Sequence, residues 1–362
     1  MRTVLSFITG LSPGGAENMM AKTIKHLNKD KYRIIVCSLV GGALEEELRK
    51  DFPVFILNAK TPFHLLPAIF KLRKIIKKER ADIIHSYLFH ANIISRIAAI
   101  KTGAKVISSI RIKEIAKPSH NIIDSLTKRL VDKYTTVSES VRQFVIKKEH
   151  INPNKVITIP NGLDFNRMKP KASASEKRKE LGLSKEDAII LSVAHLRKTK
   201  DYPTLFNAMT PLRQTNTHLL VVGKGEAETE YKKIAQQLEL DNVHFLGQRK
   251  DVFDLLNIAD VCVLSTFYEG QSNALLEYMA AKKPIIATDI EENREVMDNG
   301  KEGILVPPQS PNELARAILT LLTNQKLPQK LANNAYARVK RNHDIKRVAK
   351  QTEELYESLC AA

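Results

Sequence analysis

Cysteine is scarce in this 362-residue chain: Cys37, Cys262 and Cys360 stand alone, with no CxxC pair among them. That spacing argues against a disulfide framework or a zinc site and fits a reducing compartment, so a cytoplasmic protein is expected. No apolar run approaches the roughly 18 residues that a membrane span needs. The apolar start, Met1 to Thr9, is broken by Gly10, Pro13 and Glu17 before a signal-peptide core could form, and it reads as a first strand. Aromatic residues make up only 6% of the chain. With no stacking series, recognition-helix motif or zinc spacing either, a nucleic-acid-binding protein is the weaker reading. An Asp-x-Asp pair is also missing, which counts against a metal ion held by closely paired carboxylates.

Positive charge is what the chain has in excess. The net charge is +17, and residues 1–165 hold 28 Lys and Arg against 14 Asp and Glu, whereas the remainder holds 29 against 26. The first half is therefore expected to meet something anionic, nucleic acid or an acidic membrane surface, unless the charge is only a solvated face.

The length suggests two domains. Short β-branched runs alternate with helical patterns from Thr3–Ile8 to Val156–Ile159, and the rhythm restarts at Ala188–Val193 after a polar, Lys-rich stretch at 166–179. This predicts an α/β chain of two doubly wound domains, 1–168 and 169–340, with residues 341–362 as a helix returning to the first domain. Ligands of such sheets sit at the carboxyl ends of the strands, so the motifs should lie on those rims.

The densest motif is YEGQSNALLEYMAAKKPIIATD, Tyr268 to Asp289. Glu269 and Gly270 close a strand, and Gln271, Ser272 and Asn273 are residue types that open helices. Glu277 then falls about a turn inside the helix. A helix start offers backbone N–H groups and a positive dipole end to a diphosphate, while the two carboxylates suit hydroxyl groups, Glu269 on a sugar and Glu277 on a ribose.

This run resembles the EGxxxxxxE signature of family four of the retaining GT-B glycosyltransferases, and the similarity continues through GLSPGGAENMM, ADIIHSYLFHAN, TTVSESV, TIPNGLD, LLVVGKGEAE and NVHFLGQRKDVFDLLNIADVCVLST in family order. The resemblance implies two Rossmann-like domains facing across a cleft and a hexosyltransferase-type enzyme. Such an enzyme moves a sugar from a nucleoside diphosphate, UDP by family frequency, to an acceptor hydroxyl with retention and without a metal or other cofactor. By similarity Glu277 holds the ribose, Glu269 lies by the donor sugar, and the backbone of Ser272, Asn273, Ala274 and Leu275 meets sugar and phosphate. Lys200 matches the family's diphosphate lysine, but His195 stands where the family has an arginine, so either His195 or Arg197 takes that part. A sugar-nucleotide 2-epimerase of similar fold is the rival reading, and it would act without an acceptor.

In the first half, Gly14 and Gly15 let the backbone approach a ligand at a strand-to-helix junction, which the resemblance places near donor phosphate and acceptor. His85, His90 and Arg111 follow or end strands. A histidine there could orient an acceptor or take its proton, His90 being the preferred candidate, or be structural; Arg111 could bind a sugar or phosphate but not act as a base. The segment HLLPAIFKLRKIIKKER sets apolar Leu66, Ile69, Phe70 and Ile76 against basic Lys71, Arg73, Lys74, Lys77 and Lys78. It is either a membrane-surface helix or a core helix with a solvated basic face. With the charge of this half, the expectation is a peripheral protein at the cytoplasmic membrane face with a lipid-linked glycan acceptor. The sequence is silent on oligomeric state.

Overall fold

The computed structural model describes residues 1–12, 14–113 and 118–360; Pro13 of the glycine loop lies outside them. The chain divides into two compact units, Met1–Gly162 with Ile345–Ala362, and Leu163–Asp344.

Among the described residues the first unit holds seven strands, β1 (Arg2–Gly10), β2 (Tyr32–Val40), β3 (Val54–Ile56), β4 (Ile83–Tyr87), β5 (Lys105–Ile110), β6 (Lys133–Thr136) and β7 (Val156–Thr158). They pair in parallel in the order β3-β2-β1-β4-β5-β6-β7. The connecting helices are α1 (Gly15–Lys25), α2 (Leu44–Arg49), α3 (Leu65–Glu79), α4 (Phe89–Ala98), α5 (Pro118–Thr127) and α6 (Glu139–Lys148). Because strand side chains alternate, β1 feeds two cores: Val4 and Ile8 pack with α1, Leu5 and Phe7 with α3 and α4.

The second unit repeats the plan with β8 (Ala188–Val193), β9 (Thr217–Val222), β10 (Val243–Gly247), β11 (Val261–Leu264), β12 (Ile285–Thr288) and β13 (Ile304–Val306). All are parallel, in the order β10-β9-β8-β11-β12-β13. Its helices are α7 (Ala174–Glu180), α8 (Tyr202–Met209), α9 (Glu228–Gln237), α10 (Val252–Ile258), α11 (Asn273–Ala280), α12 (Glu291–Val296), α13 (Pro311–Thr323) and α14 (Leu327–Asn342), while the last helix, α15 (Ile345–Cys360), packs on α1 in the first unit.

The division falls at 162/163 rather than 168/169, for a local reason. Leu163 is fully buried in the second unit's core, and its amide donates to the His343 carbonyl at 2.7 Å. The Lys-rich stretch after it is docked: Asp254 accepts from the amides of Lys171 and Ala172 at 2.5 and 3.2 Å, and a capping box between Ser173 and Glu176 opens α7.

The α3 pattern also resolves in an unexpected way. Leu72 and Ile76 are buried and Ile69 half-buried, but Leu66 and Phe70 are exposed on the other side of the helix. Leu72→Ala is therefore expected to lower the unfolding free energy by about 2–5 kcal/mol, and Phe70→Ala to change it by no more than about 0.5 kcal/mol, as read by urea titration.

Candidate functional site

In both sheets the strand order reverses beside the first strand, between β1 and β4 and between β8 and β11. Helices leave these neighbouring strands toward opposite faces, which opens a crevice at their carboxyl ends. The loops after β8 and β11 carry most of the residues singled out in the second half.

The β8 loop, residues 194–201, is pinned on both sides. Ala194 and Leu196 donate to the carbonyls of Val222, the last residue of β9, and Lys224 just beyond it, at 3.0 Å each. The approach is so close that a Cβ on Gly223, whose φ is +138°, would lie 1.8 Å from the Ala194 carbonyl oxygen, and one on Gly225 2.2 Å from that of Leu196. These glycines were not assigned a part from sequence, although a Gly-x-Gly just after a strand was the available signal. On the other side, Phe267 donates to the Thr199 carbonyl at 2.9 Å, and Ser265 Oγ donates to the Asp201 carbonyl at 2.7 Å.

This stitching brings Lys200 against Glu269: Lys200 Nζ donates to Glu269 Oε1, and both side chains are 13% exposed. A largely dehydrated pair of this kind is tightly coupled, and removing one partner strands the other charge. His195 and Arg197 are more open. Both approach Glu226, at 3.8 and 4.0 Å. Burial and the neighbouring Arg197 charge hold the His195 imidazole below its usual pKa, so at neutral pH it is an uncharged donor or acceptor, unlike an arginine.

The helix expected after Gly270 begins where its residue types indicate. Ser272 is the N-cap of α11, its hydroxyl accepting from the Leu275 amide at 3.3 Å. Leu275 is fully buried in the core with its amide held by that hydroxyl, while Asn273, Ala274 and Glu277 are half-buried. Tyr278, unremarked in the sequence, anchors the helix: its hydroxyl accepts from the Val193 amide at 2.6 Å, at the very end of β8.

The first unit presents its own rim. Gly15 opens α1 after β1, exposed, with Glu17 in the first turn. Leu88 follows β4 with φ 72° and ψ 155°, a conformation costing a non-glycine residue about 1–3 kcal/mol, and it aims the start of α4, where His90 is exposed. Arg111 follows β5, half-buried; its Nη2 donates to Oδ1 of Asn161, and the Glu17 carboxylate is felt by its charge. Burial pulls its pKa down to about 10, which leaves it a cation at neutral pH. His85 is different from its sequence reading. It lies within β4 rather than at its end, 3% exposed, stacked on Tyr87 at 4.4 Å, with Nδ1 2.9 Å from the hydroxyl of Tyr356 on α15. Burial pulls its pKa down to about 3, which makes it a neutral link between sheet and helix. Asn92 is likewise internal, accepting from Ser86 Oγ at 2.8 Å and donating to the Ser109 carbonyl at 3.1 Å.

Comparison with known proteins joins these observations. The family described as Glycosyl transferases group 1 matches residues 173–338, and Glycosyltransferase Family 4 matches residues 13–167. The chain belongs to the group 1 glycosyltransferases. Within this family, an Escherichia coli UDP-Gal:alpha-D-GlcNAc-diphosphoundecaprenol alpha-1,3-galactosyltransferase is 24% identical over 361 residues, 94% of this chain and 93% of that protein. A Campylobacter jejuni N,N'-diacetylbacillosaminyl-diphospho-undecaprenol alpha-1,3-N-acetylgalactosaminyltransferase is 28% identical over 296 residues, 76% of each chain. Anabaena Alr3699/HepE in complex with UDP superposes with a TM-score of 0.87 and 23% identity, over 99% of this chain and 100% of that one. That likeness establishes the fold as GT-B, with two Rossmann-like domains.

Two expectations follow for this group 1 glycosyltransferase. Tyr278→Phe leaves the half-buried Val193 amide without its acceptor and should cost about 1 kcal/mol in a denaturant titration. His85 takes up no proton in the fold until about pH 3, whereas an unfolded histidine does so near 6.5; stability contributed by its neutral form is complete above 6.5 and is lost as pH falls toward 3. Between pH 7 and pH 5 the parent protein should therefore lose about 2 kcal/mol more than His85→Gln does, and equal losses would remove His85 as the source.

Proposed function

We propose that the chain is a retaining hexosyltransferase that moves a sugar from a UDP-sugar to a hydroxyl of a lipid-linked saccharide, in glycan biosynthesis at the cytoplasmic face of a membrane. The observation that carries this reading is the meeting of Lys200 and Glu269 beside the capped start of α11, at the strand-order reversal of the second sheet. A cation, an acidic hydroxyl acceptor and a helix dipole end are what a nucleoside diphosphate sugar requires. The names of the Escherichia coli and Campylobacter relatives, which act on diphosphoundecaprenol-linked sugars, and the UDP and UDP-glucose held by HepE support the donor and acceptor classes.

In this reading Glu277 accepts from the ribose hydroxyls, Glu269 from a hydroxyl of the donor sugar, and the backbone over Ser272–Leu275 meets sugar and phosphate. Lys200 takes the charge that grows on the diphosphate as the sugar–oxygen bond breaks. Arg197, always charged, supplies the second cation rather than neutral His195. No metal is needed. The acceptor oxygen bonds to the anomeric carbon on the face the diphosphate leaves, and its proton passes to the departing phosphate oxygen. The first unit positions that acceptor, with Gly15, His90 and Arg111 on its rim. Position and electrostatics then supply the catalysis, and no protein base has to be assigned.

The test is a panel of sugar nucleotides with membrane extract, read as nucleotide release and lengthening of a glycolipid. Glu277→Ala should weaken UDP binding in calorimetry by about tenfold or more, and Lys200→Ala should lower kcat by about 10²–10³-fold, with EDTA leaving the parent rate unchanged. Release of free nucleotide and an altered sugar with no acceptor present would replace transfer by epimerisation. Unaltered kinetics in both variants would remove the site assignment.

A further inference from the structure

The amphipathic stretch over α3 has two apolar faces, and only one of them is accounted for by the core. Ala68, Leu72 and Ile76 are 1%, 0% and 2% exposed beneath the sheet layer, whereas Phe63, Leu66 and Phe70 are 91%, 63% and 66% exposed. Leu66, Phe70, Lys74 and Lys77 succeed one another at the three- and four-residue spacing of a single helix face. The outer face of α3 is thus apolar over its first half and cationic over its second, with Lys71 and Lys78 exposed alongside. Scattered exposed leucines are ordinary, but Leu66 and Phe70 one turn apart on one face, with exposed Phe63 in the turn just before the helix, form a patch that a solvated helix has no use for.

The patch sits at a particular end of the unit. A crossover helix starts over the carboxyl ends of the strands it leaves, so the apolar half of α3 lies toward the rim that carries the starts of α1 and α4 and Arg111. Ile112, 38% exposed, follows β5 at that same rim.

We propose that the outer face of α3 docks the first unit onto an anionic lipid bilayer, with Phe63, Leu66 and Phe70 entering the acyl boundary and Lys74, Lys77 and Lys78 meeting the headgroup phosphates. The dimensions agree. Along an inclined helix the three lysines stand about 6–12 Å beyond Phe70, and interfacial helices bury their apolar side about 5–10 Å deep, so the cations reach the phosphate level as the rings reach the chains. Charge selects the same partner. The first unit holds 31 Lys and Arg against 16 Asp and Glu, whereas the second holds 26 against 24. A second copy seated face to face on α3 would set these lysines against one another, which disfavours self-association as the occupant. Docking here would bring the rim to the surface in which a lipid-linked acceptor is embedded; the purpose rests on the function proposed above, but the binding does not.

Flotation with vesicles of mixed phosphatidylglycerol and phosphatidylcholine, and with pure phosphatidylcholine, tests the surface without donor or acceptor. The parent chain should float with the mixed vesicles. The variant Phe63→Ser, Leu66→Ser, Phe70→Ser, altered only at exposed positions, should partition about tenfold less, and Lys74→Glu, Lys77→Glu, Lys78→Glu should lose the preference for the anionic vesicles. Both should keep parental UDP binding and parental turnover on a short-chain, water-soluble acceptor while slowing on a vesicle-embedded one. Parental flotation by the serine variant overturns the proposal. So does a parent that ignores vesicles, and so does a parental oligomer that the serine variant converts to monomer in light scattering. Vesicle binding lost as expected, but with no sugar transferred by any form, leaves the docking surface standing and counts against the proposed function alone.

Discussion

Everything of chemical interest in this protein follows from one constraint on parallel strands. They cannot be joined by tight turns, so each connection crosses over the sheet, and the connections must change faces where the strand order reverses. The reversal occurs beside β1 in one sheet and beside β8 in the other. At each, two adjacent strands end without a helix lying across them, and the loops that follow are free to carry function. The glycine loop and Leu88 use the first reversal; the loops around Lys200 and Glu269 use the second.

The second reversal shows how a loop can be made rigid enough for chemistry. Residues 194–201 are held by backbone hydrogen bonds to the β9 loop on one side and to the β11 loop on the other, and Tyr278 ties α11 to the end of β8. The Lys200–Glu269 pair rests on that frame. In an otherwise dehydrated place each group neutralises the other, so an incoming anion with hydroxyls can take both partners at once, exchanging one set of compensating contacts for another. Under the proposed function, that exchange is what would favour a ligand carrying phosphate and sugar together over either piece alone.

Much of this was legible in the residues. The strand rhythm, the helix start at Ser272 and the family signature all come from local patterns, because β-branched runs, capping residues and glycines act within a few positions of themselves. What was not legible depended on distant partners. Tyr278 reads as one more aromatic on a helix until Val193 is seen beside it. The outer apolar face of α3 looks like part of one stripe, because a periodic pattern does not say which hydrophobic positions are covered. The residues alone put His85 at a strand end, since its burial comes from Tyr87 and from Tyr356, far along the chain. A Lys-rich stretch suggests a loose connector, whereas the units divide ahead of it at 162/163 and Asp254 docks it.

The position of α15 has a consequence for how the chain is made. Ile345, Val348, Ala349, Leu355, Tyr356 and Leu359 belong to the same core as Val4, Ile8 and the buried methionines of α1. As the polypeptide leaves the ribosome, the N-terminal unit must therefore wait, one greasy flank uncovered, until the entire intervening unit has been synthesised. Such a nascent chain is exposed to misassembly for most of its translation, and a truncated product would carry that flank permanently.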